Sequence, residues 1–249
     1  MINSVDTYKI FSEFYDLYVG KFNDDFEFYK TYCSKSDKII EIGCGTGRIL
    51  DFFLQQDYSI VGIDVSQEML DKAAQKLSRW IAAQKLTLVN HDFTSGRIEA
   101  RFDKALLTFY TFNYIIERPV EFLRHIHGSL NNNGVLLIDL FYPVTLLDTS
   151  IQDKWVLKEF SIEGMKVKIK DNRLVVNNIE RRQQIFCIND SEIKIDTDRK
   201  YYSPAEMLDF LQLAGFTDVK FALGYNYSYF ADSIFEKDLK VNYIIKAQK

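Results

Sequence analysis

Residues 39–50 read IIEIGCGTGRIL, with three glycines in five positions, Gly43, Gly45 and Gly47, behind a short apolar run that carries one carboxylate, Glu41. Glycines at a strand-to-helix turn permit unusual backbone angles and let a ligand lie against bare main chain. The first turn of the following helix adds unpaired N–H groups. The spacing is G-x-G-x-G. A dinucleotide fingerprint would place its third glycine at Arg48, and a P-loop would continue into Gly-Lys-Ser/Thr, so neither pattern is present. A carboxylate beside the loop repels a pyrophosphate and suits an ammonium group. Asp64 stands 21 residues after Gly43, where an acid can accept hydrogen bonds from ribose hydroxyls. Asp92 and Phe93, in NHDF, offer a partner for an exocyclic amino group and a face for adenine. These residues together describe a ligand with adenine, ribose and a cationic amine, but no phosphate.

Such residues need a frame that brings strand ends together. DKIIEIG and YSIVGID read as strands one and two, GRILDFFLQQ as the helix between them, and LTLVNHD and FDKALLTFY as strands three and four. SQEMLDKAAQKLSRWI predicts a single helix with Ser66 as N-cap and Glu68 in its first turn. RPVEFLRHIHGSL is a helix opened by Pro119, NNNG a turn, and GVLLIDLF an apolar fifth strand buried on both faces. After an interruption, SPAEMLDFLQLAGF gives a helix capped by Ser203, with Pro204 at its first position and Gly215 past its end; TDVKFAL and KVNYIIKAQ complete seven strands. The expected fold is α/β, a doubly wound, seven-stranded and mostly parallel sheet.

The interruption, residues 151–202, alternates without helical period in KVKIK, RLVVNN, QQIFCI and EIKID, with turn-like KDNR and INDS between pieces. It reads as an inserted small antiparallel sheet that covers an acceptor. The run NNIERRQQ reads as a solvated strand face. Residues 1–33 are aromatic-rich and predict two helices broken near Gly20, forming a lid. The α/β domain then comprises residues 34–150 and 203–249.

With these motifs in order, the chain resembles the class I S-adenosylmethionine-dependent methyltransferases, small-molecule branch, with a layout similar to amino-sugar N-methyltransferases. EIGCGTG resembles their first motif, VGIDVSQEML the second, NHDF the third and FDKALLTFYTFNYI the fourth. GSLNNNGVLLIDLF and YSPAEMLDFLQLAGF resemble the later elements, so the likeness spans nearly the whole chain outside the inserted strands. It implies S-adenosyl-L-methionine as cofactor. Gly43, Cys44, Gly45 and Gly47 would line its methionine part, with Glu41 near the amine. Asp64 would hold the ribose, Val65, Met69, Asp92 and Phe93 would border adenine, and Thr108 and Phe109 would end strand four beside the sulfonium. FSEFYDLYVG resembles a lid helix whose Tyr-Asp pair lies over the cofactor, which singles out Tyr15 and Tyr18; Tyr15 can also favour the sulfonium by cation–π attraction. A candidate base in the amino-sugar enzymes follows strand four as a His. Tyr114 occupies that position here, and a Tyr is a poor base near neutral pH.

The implied activity is N- or O-methylation of a small-molecule acceptor. Its pocket would be lined by Tyr18, Tyr110, Asn113, Tyr114, Phe141 and Tyr142, whose aromatic character points to a partly apolar acceptor. The alternative is a non-catalytic S-adenosylmethionine-binding or protein-interaction module.

Composition narrows the partners. A formal charge of −4 with both signs intermixed gives no basic block for nucleic acid. The sequence has neither a membrane-length apolar run nor a signal-peptide layout. Cys33, Cys44 and Cys187 are too far apart for a disulfide framework or a metal site and fit a reducing cytoplasm. A monomer or homodimer is expected. His91, His125 and His127 read as structural. Asp139, at the end of strand five, lacks the companion acids a metal would need.

Overall fold

The computed structural model describes residues 15, 16, 19, 22–143, 152–162, 165–188, 191–225, 230–234, 239 and 241–249. Most of the expected N-terminal lid, Tyr18 and the expected break at Gly20 lie outside them. Within that region residues 15, 16 and 19 are helical, and α1 spans Phe26–Thr31.

The central sheet has the expected seven strands. In chain order these are β1 Ile39–Ile42, β2 Ile60–Asp64, β3 Leu86–Asn90, β4 Phe102–Leu107, β5 Leu130–Phe141, β10 Thr217–Ala222 and β11 Asn242–Gln248. Their spatial order is β10-β11-β5-β4-β1-β2-β3. Only β11 runs against its neighbours, β5 and β10. The chain winds outward from β1 through β2 to β3, then returns to place β4 on the other side of β1. The carboxyl ends of β1 and β4 therefore flank a topological switch point, where the diverging connections leave a crevice. All four residues of β1 are buried, as expected for a parallel strand covered on both faces.

The helices are α2 Arg48–Gln55, α3 Gln67–Lys76, α4 Ser78–Ala82, α5 Pro119–Ser129 and α6 Pro204–Ala214. Ser66 caps α3 by accepting from Met69 N–H at 3.2 Å. Ser203 and Glu206 form a reciprocal capping box on α6, which Gly215 ends in the left-handed region at φ 101°. The predicted single helix over residues 66–81 is instead two. Leu77 leaves the helical region (φ −108°, ψ 18°) and turns inward under the glycine loop. The predicted turn NNNG is absorbed into β5: pairing with β4 jumps from Phe102↔Leu130 to Lys104↔Val135, and Asn133 takes φ 63°.

The inserted sheet is antiparallel, in the order β6 Val156–Ile162, β7 Met165–Val176, β8 Ile179–Ile188, β9 Ser191–Lys200. The turn-like KDNR lies inside β7. Its polar side chains are accommodated because Asp171 and Arg173 alternate onto one face and meet Arg182 of β8 there. The turn between β7 and β8 is Asn177-Asn178, both at positive φ, the two-residue arrangement that matches strand twist. Among the described residues no helix is long and apolar enough to cross a membrane.

Candidate functional site

The chain leaves β1 through three left-handed glycines, with φ 76°, 54° and 84° at Gly43, Gly45 and Gly47. The turn is fixed by Gly43 and Cys44 N–H groups, both donating to Ile63 O of β2 at 2.7 and 2.9 Å. A Cβ on Gly43 would stand 2.5 Å from the Thr111 side chain, so this glycine is required for close packing as well as for its angle. A Cβ on Gly47 would strike Leu77 at 2.9 Å. Gly47 borders neither cavity described below; it seats α2 on the break between α3 and α4.

Glu41 is buried at the carboxyl end of β1. Its Oε1 accepts from Thr108 Oγ1 at 2.7 Å, and its Oε2 has no hydrogen-bond partner. Burial pushes this carboxyl up to about 8, against the Thr108 hydrogen bond. Asp64 ends β2 and organises the loop from the other side: its Oδ2 accepts from Gly45 N–H at 2.8 Å and its Oδ1 from Ser66 N–H at 2.9 Å. Burial raises its pKa while those donors oppose the rise. Cys44 is buried, which raises its thiol well above the ordinary value, so it is an inert small residue in the turn.

Two cavities meet over this loop. The smaller, of about 220 Å³, runs over Gly45, Asp64, Val65, Met69, Asp92 and Phe93. The Asp92 carboxylate is held by Thr94 N–H and Oγ1, both at 2.7 Å, and Phe93 is buried against Phe122. His91 borders the same cavity as Asp92, because β3 ends at Asn90 and strand alternation ends with it. The larger cavity, of about 370 Å³, contains Glu41, Cys44, Thr108, Phe109, Tyr110 and Phe141 on its floor and walls. Tyr15, Gly43, Thr111 and Tyr114 belong to both cavities and mark the passage between them.

The loop after β4 is strained where it lines the larger cavity. Phe109 and Tyr110 both adopt positive φ, 49° and 67°, a region that bulky residues rarely occupy. Their rings stack at 5.2 Å, and Tyr110 packs on Phe141 at 5.2 Å. Burial raises the pKa of Tyr110, and that of Tyr15, well above the ordinary phenol range. Beneath Tyr110, Tyr225 donates to the buried Asp139, whose carboxyl burial pushes up to about 7. Asn242 is its other neighbour, at 3.4 Å, so Asp139 sits in a polar network of phenols and an amide. No group of metal-ligating side chains occurs among the described residues.

Above the loop, Thr46 Oγ1 donates to Asp16, which holds the Tyr15–Asp16 pair over the glycines. Arg48 opens α2 and binds Asp25 through both guanidinium nitrogens, at 2.7 and 2.6 Å. Its guanidinium also lies 5.1–5.3 Å from the rings of Phe22, Phe26 and Phe109. The residue that departs from the dinucleotide fingerprint is thus the anchor joining α1 to the loop after β4.

Two expected acceptor residues, Asn113 and Tyr142, are not brought to the cavities. Asn113 is buried, and its amide is committed to backbone: Nδ2 donates to Phe141 O (3.0 Å) and Lys200 O (2.6 Å), and Oδ1 accepts from Phe141 N–H (2.9 Å). It therefore clasps the end of β5 to the end of β9. Tyr142 is buried in the main core, where its N–H donates to Val241 O. Tyr18 lies outside the described residues. The ceiling of the larger cavity is instead the inserted sheet, through Arg173, Arg182, Gln184, Ile195, Thr197 and Arg199. Arg182 and Gln184 belong to the run that reads as solvated; within its strand the alternate residues Arg181 and Gln183 face outward. Same-parity strand positions, 180, 182 and 184 against 197 and 199, were the available signal.

The three histidines are structural in their contacts: His91 with Gly96 O (2.9 Å), His125 with Phe93 O (2.7 Å), and His127 edge-on to Phe216.

Residues 40–136 match the family model described as a methyltransferase domain. The carboxy-S-adenosyl-L-methionine synthase of Trichodesmium erythraeum is 31% identical over 113 residues, which cover 44% of this chain and 44% of that protein. The chain thus matches less than half the length of such curated relatives. Among solved structures, an S-adenosylmethionine-dependent methyltransferase from Clostridium acetobutylicum superposes with a TM-score of 0.76 at 17% identity, covering 96% of this chain and 98% of that one. An amino pentose methyltransferase from Micromonospora echinaspora, solved with S-adenosylmethionine bound, gives 0.70 at 14% identity, covering 96% and 97%. Identities this low speak for the fold alone. Residues 40–136 match a methyltransferase domain, and the chain shares the fold of these solved S-adenosylmethionine-dependent methyltransferases.

Proposed function

We propose that the protein binds S-adenosylmethionine across the glycine loop and transfers its methyl group to a small-molecule acceptor held under the inserted sheet. The observation that carries this reading is the pair of cavities meeting at Tyr15, Gly43, Thr111 and Tyr114, one over Asp64 and one over Glu41. The residues fit the cofactor. Glu41 Oε2 is a buried acceptor lacking a partner, suited to an ammonium. Among the described residues a Cβ on Gly45 would meet only Tyr15, at 3.8 Å, which leaves room against the main chain. Asp64, Asp92 and Phe93 supply the ribose and adenine partners. When bound, the cofactor supplies an activated methyl group on a sulfonium.

The chain's own contribution is alignment and exclusion of water. Orienting two bound reactants can supply a large share of the acceleration in a displacement, and the strained Phe109–Tyr110 turn fixes the wall against which an acceptor would lie. No histidine borders the larger cavity among the described residues. Burial keeps Tyr15 and Tyr110 protonated near neutral pH, so neither is a proton acceptor there. This favours an acceptor that arrives as a nucleophile, a neutral amine, and hence N-methylation. In that role Tyr15 shapes the passage rather than moving a proton, and Tyr114, half-exposed at the junction, is a positioning residue.

The competing reading, a binding module without catalysis, is separated by a labelled-methyl screen over amine, hydroxyl and carboxylate metabolites with mass analysis of products. A methylated amine is the expected product. Tight S-adenosylhomocysteine binding with no transfer to any acceptor would favour the binding module.

A further inference from the structure

The inner face of the inserted sheet is organised in cross-strand rows. Arg173, Arg182 and Thr197 face one another across β7, β8 and β9; Glu180 and Arg199 make the next row, and Asp171, Gln184 and Ile195 the row on the other side. All three arginines line the larger cavity. Asp171 accepts from Arg182 at 2.8 and 3.0 Å and from Arg173 at 2.8 and 3.2 Å. Arg199 donates to Glu180 at 2.6 Å, and its guanidinium lies 4.8 Å from the Phe141 ring. Among the described residues three guanidinium groups meet two carboxylates, and Lys158 approaches Asp171 at 3.4 Å from the half-exposed side.

A network serving only to hold strands together would be expected to balance its charge and satisfy its donors, because buried excess charge and unmade hydrogen bonds are costly. This one leaves a buried donor unmade. Gln184, only 6% exposed and lining the cavity, has its Nε2 without a hydrogen-bond partner. Resting on the methyltransferase reading above, we propose that this face is an anion subsite in which Arg173, Arg182 and Arg199 hold a carboxylate or phosphate group of the methyl acceptor, with Gln184 donating to it. Guanidinium forks match either oxyanion. The acceptor is thereby an anionic molecule whose charged group is fixed by the inserted sheet while its reacting atom faces Phe109 and Tyr110, in place of the partly apolar acceptor that the aromatic residues imply.

The test is calorimetry on the protein saturated with S-adenosylhomocysteine, at fixed ionic strength, with inorganic phosphate, pyrophosphate and malonate as probes. At least one should saturate. Arg182→Gln should weaken it tenfold or more and Gln184→Leu severalfold, each leaving S-adenosylhomocysteine affinity unchanged. The stronger arm, phosphate type or dicarboxylate, identifies the group. Gln184→Leu touches neither ion pair, so it reports even if Arg182→Gln fails to fold. Absence of saturation by any probe below about 10 mM, or unaltered probe affinity in Gln184→Leu, overturns the subsite. Failure of the wild type to bind S-adenosylhomocysteine would instead overturn the donor reading beneath it.

Discussion

Replacing Glu41 with Gln tests the donor site through a proton. In the empty fold, burial holds this carboxyl at about 8, so at pH 7 it carries its proton. An ammonium brought to Oε2 favours the ionised form, and binding must then expel that proton. At pH 7 the ionisation costs about 1.4 kcal/mol, one pKa unit. A charge-assisted hydrogen bond returns about 1.5–3 kcal/mol. Glu41→Gln should therefore weaken S-adenosylhomocysteine binding by only about 1 kcal/mol at pH 7, but the wild type alone should show pH dependence. Its affinity should rise by about ten- to a hundredfold in total between about pH 6 and 8, the span that 1.5–3 kcal/mol sets, and calorimetry in buffers of differing ionisation enthalpy should record release of about half a proton or more at pH 7. The variant should be flat over that range and release none. A wild type that releases no proton and binds equally at both ends of the range would refute the pairing of Glu41 with the amine.

The same residue makes an independent statement about stability. A carboxyl whose folded pKa lies above its unfolded value binds more protons in the native state, so between about pH 4.5 and 8 stability falls as pH rises. The cost reaches about 3 kcal/mol by pH 7. Glu41→Gln removes this slope, although its amide N–H₂ has no ready partner. The divergence of the two stability curves with pH, rather than their offset, carries the comparison.

Asp64→Ala should weaken S-adenosylhomocysteine binding about tenfold or more, and it should also lower stability because Gly45 and Ser66 N–H groups lose their acceptor; calorimetry and thermal melts measure the two effects. Asn113→Ala breaks three hydrogen bonds and leaves Lys200 O without its partner, so about 3 kcal/mol of stability should go, with hydrogen exchange rising first in β9; unchanged exchange there would deny the clasp. Asp25→Asn removes one half of a buried bidentate ion pair, and a loss of about 3–5 kcal/mol is expected in chemical denaturation.

The geometry of the proposed donor site was legible because it is local. Glycines, Glu41 and Asp64 lie within 24 residues, and each sits at a strand end whose position the α/β alternation dictates. The acceptor half was not, because its residues share a site only through register. Arg173, Arg182 and Arg199 come from three strands, and each lies in a segment whose charges occupy both parities. In NNIERRQQ, Glu180, Arg182 and Gln184 turn inward while Arg181 and Gln183 turn outward, so polarity cannot mark the solvated face. Asn113 misled for a related reason. An amide after strand four is equally suited to a ligand and to backbone, and only the arrival of Lys200, 87 residues away, decides which it meets. Arg48 read as a missing glycine because its partners Asp25 and Phe22 precede the motif.

The clasp also explains how an insertion so rich in charge is held over the larger cavity. A four-stranded sheet entering after β5 and leaving before α6 has two connections to the α/β domain. The Asn113 amide takes Phe141 at the entry and Lys200 at the exit, while Tyr202 donates to Ile115 O in the same loop. That loop is the one whose Thr108 bonds Glu41 and whose Tyr110 lines the larger cavity. The arginine face and the glycine loop are therefore referenced to one short segment, residues 108–115. Displacing that segment should disturb donor and acceptor together, whereas changes on the inner face of the inserted sheet should reach the acceptor alone. Under the proposed function, this split is what alignment requires: the acceptor's anchor can vary without loosening the donor, because the two are joined only where the reacting atoms must meet.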